Sequence, residues 1–245
     1  MSHLAKLVAQ AVADAREREK HPFPAEVPPL RPFPRSGLIA EVKRSSPSKG
    51  AINPRLDPAQ LAQAYARGGA AAISVLTDHM HFGGSLDDLR AARAAISLPV
   101  LRKDFIVTEF QVREARAYGA DAILLIAAAA PLATLGPLRQ LARELGMAVL
   151  FEVHEESELD AARTCEPDLL GVNARDLKTL EVHPGAFARI APLAREIAPL
   201  VAESGVRTPE DARRLRALGA SMLLVGEALS SAPDPQAATR ALVQA

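Results

Sequence analysis

A ten-residue junction, ALGASMLLVG at residues 217–226, decides the fold together with two close copies earlier in the chain. The copies are AYGADAILLI at residues 117–126 and ARGGAAAISVL at residues 66–76. In each, a polar stretch reaches a glycine, which can adopt the positive φ that ends a helix. An apolar run follows without polar alternation, as in strands that are buried on both faces. The junctions therefore predict helix-to-strand connections in a parallel sheet.

Eight apolar runs of this kind follow one another at a spacing of roughly 20–35 residues, the length of one strand–helix unit. The runs cover residues 38–42, 71–76, 98–101, 122–126, 147–151, 169–172, 199–202 and 222–225. Eight units favour an α/β fold of the single (β/α)8 TIM-barrel type, although an open doubly wound sheet of the same units stays possible. We assign residues 36–245 to the barrel and residues 1–35 to an N-terminal helical extension with a Pro-rich connector.

The N-terminal extension has its own pattern. Leu4, Leu7, Val8 and Ala11 follow the i, i+3, i+4 spacing of an amphipathic helix, which Ser2 can cap. Six prolines between residues 22 and 34 then predict a stiff, extended connector. The additional helix either packs on the outside of the barrel or lies near one mouth and helps to cover it.

Composition excludes several classes of protein. The 245 residues carry no formal net charge, which argues against a nucleic-acid-binding surface. A single cysteine excludes a disulfide framework, and no apolar run is long enough to span a bilayer. The N-terminus lacks the apolar core of a signal peptide. We expect a cytoplasmic protein, a monomer that associates with neither nucleic acid nor membrane, and we find no cofactor fingerprint.

Polar residues follow the apolar runs at the end where barrels of this kind carry their chemistry. Lysine is scarce, with six among 29 basic residues, yet two lysines occupy such ends, and a desolvated lysine can exchange its proton. Buried charges are costly unless they pair, so the cluster predicts an active site or, alternatively, a structural ion-pair network. The candidates are Glu41, Lys43, Lys103, Glu152, His154, Asn173, Arg175 and Glu203.

Two glycine turns add a second signal. Ser204 and Gly205 follow the seventh run, and Gly226 follows the eighth. Barrels of this class often bind phosphate after these two strands, through backbone N–H groups. The pair of turns therefore predicts a phosphorylated small-molecule substrate.

Taken together, these residues resemble the indole-3-glycerol-phosphate synthase family. The resemblance extends from about residue 36 to residue 230, and its motifs occur in the order of the family. They are IAEVKRSSPSKG at 39–50, FGGS at 82–85, LRKDFIV at 101–107, FEVH at 151–154, GVNARDL at 171–177 and AESGV at 202–206. The resemblance implies a tryptophan-pathway enzyme that converts 1-(2-carboxyphenylamino)-1-deoxyribulose 5-phosphate to indole-3-glycerol phosphate, carbon dioxide and water.

The resemblance also implies a role for each site residue. Lys103 resembles the general acid that protonates the substrate ketone, held by Glu41, and Glu152 resembles the acid/base partner for the loss of water. Lys43 resembles the cation that meets the substrate carboxylate. The remaining residues complete the polar shell (Asn173, Glu203), position the substrate (Arg175, Ser204), form an apolar wall (Phe82, Phe105, Leu177) or lie near the phosphate (Ser46, Gly205, Gly226). Glu227 departs from the hydroxyl residue of many members, and we expect its carboxylate to point away from the phosphate.

Three other interpretations stay open at this point. His79, His81 and His154 could bind a metal near Glu152, although no third ligand has matching spacing, so we predict no metal. Phosphoribosylanthranilate isomerase is a similar barrel, but it relies on a Cys/Asp pair, and Cys165 precedes the sixth run. A barrel that binds a phosphorylated metabolite without turnover would need no proton donor such as Lys103.

Overall fold

The eight apolar runs form a closed parallel barrel in a computed structural model that describes residues 3–245. Each strand pairs with the next along the chain, and the last pairs with the first, which confirms the (β/α)8 barrel and excludes the open sheet. The strands are β1 (Gly37–Val42), β2 (Ala72–Leu76), β3 (Val100–Lys103), β4 (Ala122–Ile126), β5 (Ala148–Val153), β6 (Leu169–Asn173), β7 (Leu200–Glu203) and β8 (Met222–Val225).

Helices surround the barrel and cross one end of it. They are α1 (His3–Arg18), α2 (Pro58–Arg67), α3 (His79–Phe82), α4 (Leu86–Ala95), α5 (Glu109–Ala117), α6 (Leu132–Glu144), α7 (Leu159–Cys165), α8 (Ala186–Ala194), α9 (Pro209–Ala217), α10 (Glu227–Ser230) and α11 (Pro235–Val243). Short 3-10 turns follow β4 and β5, and a small hairpin of Ser45–Ser46 with Gly50–Ala51 follows β1. The predicted helix-ending glycines Gly69, Gly119 and Gly219 have φ values of 94°, 93° and 102°.

Four of the eight barrel strands, β3, β5, β6 and β7, extend further toward their carboxyl ends than the apolar runs suggested. Lys103, Asn173 and Glu203 are the last residues of their strands, and β3 begins two residues later than the predicted run. These polar side chains point into the barrel, where they find partners, so the ladder continues through them. Hydrophobicity alone therefore placed the strand ends too early.

The apolar core has two layers, one between the strands and the helices and one inside the barrel. Leu4, Leu7 and Ala11 of α1 join the inner layer, where they pack with Phe105 and Ile126. The N-terminal helix therefore lies across the carboxyl-end mouth of the barrel, not on its outer wall. Its predicted cap, Ser2, lies outside the described residues.

The Pro-rich connector runs down the outside of the barrel from that mouth. Phe23 stacks on Phe110 of α5, with ring centroids 5.3 Å apart. Further along, the backbone N–H of Arg31 donates to Asp121, which precedes β4, at the opposite end of the barrel. None of the helices in residues 3–245 is long and apolar enough to cross a membrane.

A buried ionic network fixes β3 between α1 and α5. The guanidinium of Arg102, fully buried on the outer face of β3, lies 2.9 Å from Asp104 and 3.0 Å from Glu114. Glu114 also accepts two hydrogen bonds from Arg18 at the end of α1, at 2.7 and 3.0 Å. Because Lys103 is the next residue of the same strand, the network anchors both the covering helix and the strand end below it.

Replacing Arg102 with Met should lower the free energy of unfolding by about 3–5 kcal/mol, because Asp104 and Glu114 lose a buried countercharge. The midpoint of urea-induced unfolding measures the change. Lys20→Met is the matched control, since Lys20 pairs with Glu17 on the exposed surface, and its midpoint should stay at the wild-type value. Equal midpoints for the two variants would contradict a structural role for the network.

Candidate active site

Four charged side chains occupy the uppermost layer inside the barrel. Glu41, Lys103, Glu152 and Glu203 lie on β1, β3, β5 and β7, and alternate strands of such barrels contribute one layer together. Bulky aliphatic residues usually fill these positions. Below the charges, Leu124 and other aliphatic residues of the inner layer fill the barrel as usual. The layer thus forms a charged floor to the cavity at the mouth.

Lys103 is held between two carboxylates. Its Nζ donates to Glu203 at 3.0 Å and to Glu152 at 3.2 Å, and both carboxylates are almost fully buried. Burial would lower the pKa of Lys103, but the surrounding carboxylates, with Glu152 first, outweigh it and raise the pKa above the usual lysine value. Lys103 is therefore a full ammonium ion at neutral pH.

The pKa values of the two carboxyl groups shift in opposite directions. Burial would raise the pKa of Glu152, but Lys103 and His154 outweigh it and hold the pKa well below the usual range. Burial, together with the charge of Glu152, raises the pKa of Glu203 to about 8 in spite of Lys103. Of the two carboxyl groups beside the ammonium, Glu203 therefore holds a proton more strongly than Glu152.

Glu41 does not pair with Lys103, which corrects the expected contact. Its carboxylate pairs instead with Lys43, two residues further on and the first residue after β1, at 3.2 Å. Side chains two apart on a strand share a face, so the two are natural partners. Glu41 acts on Lys103 only at longer range, through its charge.

Two glycines make room for the carboxylates. A Cβ atom at Gly171 would collide with Glu203, and a Cβ atom at Gly226 would collide with Glu41. Gly226 has a φ of −114°, so it is needed for space and not for a left-handed backbone. The glycine after β8, predicted as part of a phosphate turn, therefore also seats a charged side chain of the floor.

Two buried acceptors of residues that line the cavity lack a partner. Oε2 of Glu41 and Oε1 of Glu203 form no hydrogen bond with the described residues. Leaving such atoms unpaired costs about 1–3 kcal/mol each, so they are expected to meet a bound polar group. These open acceptors favour an active site over a purely structural ion-pair network.

Loops from β1 and β6 meet over the cavity. Arg175 donates to Ser48 at 3.1 Å and to the carbonyl of Leu180 at 2.8 Å. Its backbone N–H donates to the side chain of Asn173 at 3.0 Å, and a hydrogen bond from Asn173 also helps to lower the pKa of Glu152. The predicted polar residues of β6 thus link the loops to the floor.

The apolar wall is assembled as predicted around the cavity. Phe82, Phe105 and Leu177 all line it, and Nζ of Lys43 lies 5.5 Å from the centre of the Phe82 ring. Two residues of α1, Leu7 and His3, also line the cavity. Sequence reasoning missed these two because the helical pattern shows which face is apolar but not what that face covers.

The glycine turns line the same cavity, together with Ser46. Ser204 and Gly205 have φ values of 65° and 81°, a left-handed pair that glycine tolerates and serine rarely adopts. Glu227 is among the residues that line the cavity, and its carboxylate pairs with Lys49 of the β1 loop at 2.6 Å. Lys49 thus neutralises the carboxylate beside the predicted phosphate site.

The residues that a metal site or an isomerase of the Cys/Asp type would use lie outside the cavity. Neither His79, His81 nor Cys165 lines this cavity, and Cys165 is buried at the end of α7. No group of three metal-ligating side chains occurs within residues 3–245. His154 lies behind Glu152, with its Nε2 3.2 Å from that carboxylate.

Known proteins resemble the chain over nearly its full length. The family model described as indole-3-glycerol phosphate synthase matches residues 3–242. A protein of that name from a Nocardioides species is 50% identical, over 98% of this chain and 97% of its own. One from Mycolicibacterium smegmatis is 52% identical, over 95% and 86%.

A solved structure, the thiamine phosphate pyrophosphorylase from Pyrococcus furiosus, covers 86% of this chain and 95% of its own with a TM-score of 0.65. Its sequence identity is 18%, so the likeness is one of fold alone.

Gly226→Ala should lower kcat by about 10–10²-fold, because the new methyl group displaces the Glu41 carboxylate and with it Lys43. Steady-state kinetics measure the change. Gly136→Ala is the matched control, since a Cβ atom there meets nothing and kcat should be unchanged. A variant at position 226 that changes only KM would show that the glycine serves the phosphate alone.

Proposed function

The chain belongs to the indole-3-glycerol phosphate synthase family, and we propose that Lys103, Glu152 and Glu203 carry out the proton transfers of its reaction. The chain is a carboxy-lyase that converts 1-(2-carboxyphenylamino)-1-deoxyribulose 5-phosphate to indole-3-glycerol phosphate, carbon dioxide and water. One observation carries the proposal: a buried ammonium lies between two buried carboxyl groups, at 3.2 and 3.0 Å, whose pKa values shift in opposite directions. We refer to these three residues as the proton-transfer cluster.

The reaction sets the number of protons that the cluster must handle. The aromatic carbon that bears the carboxylate attacks the ketone, whose oxygen takes one proton. Carbon dioxide then leaves and returns its electron pair to the ring, so this step needs no electron-sink cofactor. Loss of water takes a second proton and releases one from carbon. The balance is one proton taken up per turnover, because an anionic carboxylate leaves as a neutral molecule.

Lys103 is the general acid of ring closure. Its ammonium stabilises the negative charge that develops on the ketone oxygen. The raised pKa does not prevent proton transfer, because an alkoxide is a stronger base than an amine. The two carboxylates serve this step by keeping the lysine charged and aimed from β3 into the cavity.

Glu152 and Glu203 serve the loss of water. The lowered pKa of Glu152 keeps it ionised, so it can take the proton from carbon. The raised pKa of Glu203 favours its protonated form, so it can give a proton to the departing hydroxyl. Both contact Lys103, which lets the cluster redistribute protons between steps.

Lys43 and Asn173 hold the reacting end of the substrate. Lys43 lies beside Phe82, so its ammonium can meet the substrate carboxylate while the ring packs on the apolar wall. Glu41 keeps Lys43 in place, and Asn173 reaches the floor beside Glu152. Binding of this kind places the attacking carbon against the ketone.

The phosphate end of the substrate binds at the turns that follow β7 and β8. Backbone N–H groups at Gly205 and Gly226, with Ser46 and Ser204 beside them, form the proposed phosphate site. Arg175 positions the β1 loop through Ser48 and so closes this side of the mouth.

We also propose a monomer that works in the cytoplasm, with residues 1–35 as an extension of one catalytic barrel. The support is that α1 of the same chain covers the mouth, so the cavity needs no second copy to complete it.

Lys103→Met should lower kcat by about 10²–10⁴-fold with KM little changed, because it removes the acid and leaves the binding groups in place. The rise of indole fluorescence after substrate is added measures turnover directly. Lys178→Met is the control, since Lys178 is exposed outside the cavity. Wild-type turnover by the Lys103 variant would refute the role of the cluster.

Lys49→Met should raise KM about tenfold, equivalent to about 1.4 kcal/mol, because it exposes the bound phosphate to the charge of Glu227. The double variant Lys49→Met/Glu227→Ser should recover most of this loss. A double-mutant cycle on KM tests the pair. If the two substitutions act additively, Lys49 does not work by neutralising Glu227.

A further inference from the structure

The proton-transfer cluster must gain one proton from solvent in every turnover, yet it is buried. The side chains of Lys103, Glu152 and Glu203 are only 13%, 2% and 1% exposed. The cavity above them is the one that the substrate fills, and α1 covers its mouth. A substrate in place would thus separate the cluster from the water of the mouth, and the proton needs another way in.

His154 lies next to the cluster but outside the cavity that the substrate fills. It follows β5 and does not line the cavity, but its Nε2 lies 3.2 Å from Oε1 of Glu152. Oε2 of the same carboxylate accepts from Lys103. Glu152 therefore joins the imidazole ring on one side to the catalytic ammonium on the other.

Glu158 continues the line to the surface. Its carboxylate lies 3.9 Å from Nδ1 of His154, and its side chain is 19% exposed. It is fixed there by the backbone N–H of His154, at 2.6 Å, and by that of Glu155. Proton transfer between the two would require the ring to move closer to Glu158. From the surface inward, the order is Glu158, His154, Glu152 and Lys103.

The charges around the ring favour its protonated form. Burial would lower the pKa of His154, but Glu152, Glu158 and Glu203 outweigh it and raise the pKa. Neither ring nitrogen has a well-aligned hydrogen bond within the described chain. The ring is thus oriented by charge and not by a hydrogen bond, and its side chain is only 11% exposed.

We propose that His154 and Glu158 form a proton-entry path that delivers the proton of each turnover to Glu152 from the outer surface. The proposal rests on the acid/base role of Glu152 given above. In the delivery step the Nε2–H bond breaks and an O–H bond forms on Glu152, which leaves a neutral ring. The ring then turns to present its bare nitrogen to Glu158, where it takes up a proton from solvent. No oxidant, reductant or cofactor enters the balance.

Two substitutions of His154 separate a proton carrier from a hydrogen-bond donor. The amide of His154→Gln can still donate to Glu152 but cannot exchange a proton, and His154→Ala leaves space for a free imidazole molecule. The kcat of both should fall on the order of 10–10²-fold, at or below the range for loss of a general acid or base, with KM unchanged. Imidazole added to a weakly buffered assay should restore the alanine variant and leave wild type unaffected. His21→Gln, on the exposed connector, is the control.

Wild-type turnover by His154→Gln would overturn the path, since the ring would then act only as a donor. An alanine variant that stays slow at every imidazole concentration would overturn it in favour of packing. If that variant does not fold, the solvent deuterium isotope effect on kcat decides: it should increase in His154→Gln, and an unchanged effect refutes the path.

Glu152→Gln, assayed in parallel, separates the two proposals. If it is slow while the His154 variants are normal, only the path fails, and if it is normal, the role of Glu152 fails.

Discussion

The ion pairs between Lys103 and its two carboxylates are the constraint on which the site depends. An ammonium and two carboxyl groups cannot be buried in an aliphatic barrel unless they satisfy one another. The neighbouring strands adapt to this need. Gly171 leaves space for Glu203, and Gly226 leaves space for Glu41. Residues that hydropathy alone would class as loop remain in the strands because their side chains pair across the barrel.

The helix that covers the mouth, α1, and the strand that carries Lys103, β3, are connected by one buried ionic network. Arg18 at the end of α1 binds Glu114, which in turn binds Arg102 of β3. At its other end, α1 packs Leu4 and Leu7 into the inner core. The helix is therefore held at both ends, by charge and by apolar contact. A lid fixed in this way excludes water from the site and strengthens its electrostatics.

The barrel and most of the site could be predicted from the sequence because they depend on local patterns. Gly69, Gly119 and Gly219 marked the junctions, and the i, i+2 spacing of Glu41 and Lys43 placed both on one face. What failed was pairing between distant strands. Register and tilt, which no local pattern carries, decide that Lys103 meets Glu152 and Glu203 and not Glu41. For the same reason, the sequence could not predict the contact of Lys49 with Glu227 or the position of His3 over the cavity.

The scarcity of lysine acquires a physical meaning at β3. Arg102 and Lys103 are consecutive, so their side chains point to opposite faces of the strand. Outward, a permanently charged, planar guanidinium can satisfy Asp104, Glu114 and a backbone carbonyl together. Inward, an ammonium can give up its proton and then be recharged. An arginine at position 103 would keep the charge but could not act as an acid. On β3, Arg102 thus stabilises the fold from the outer face, while Lys103 takes part in the reaction from the inner face.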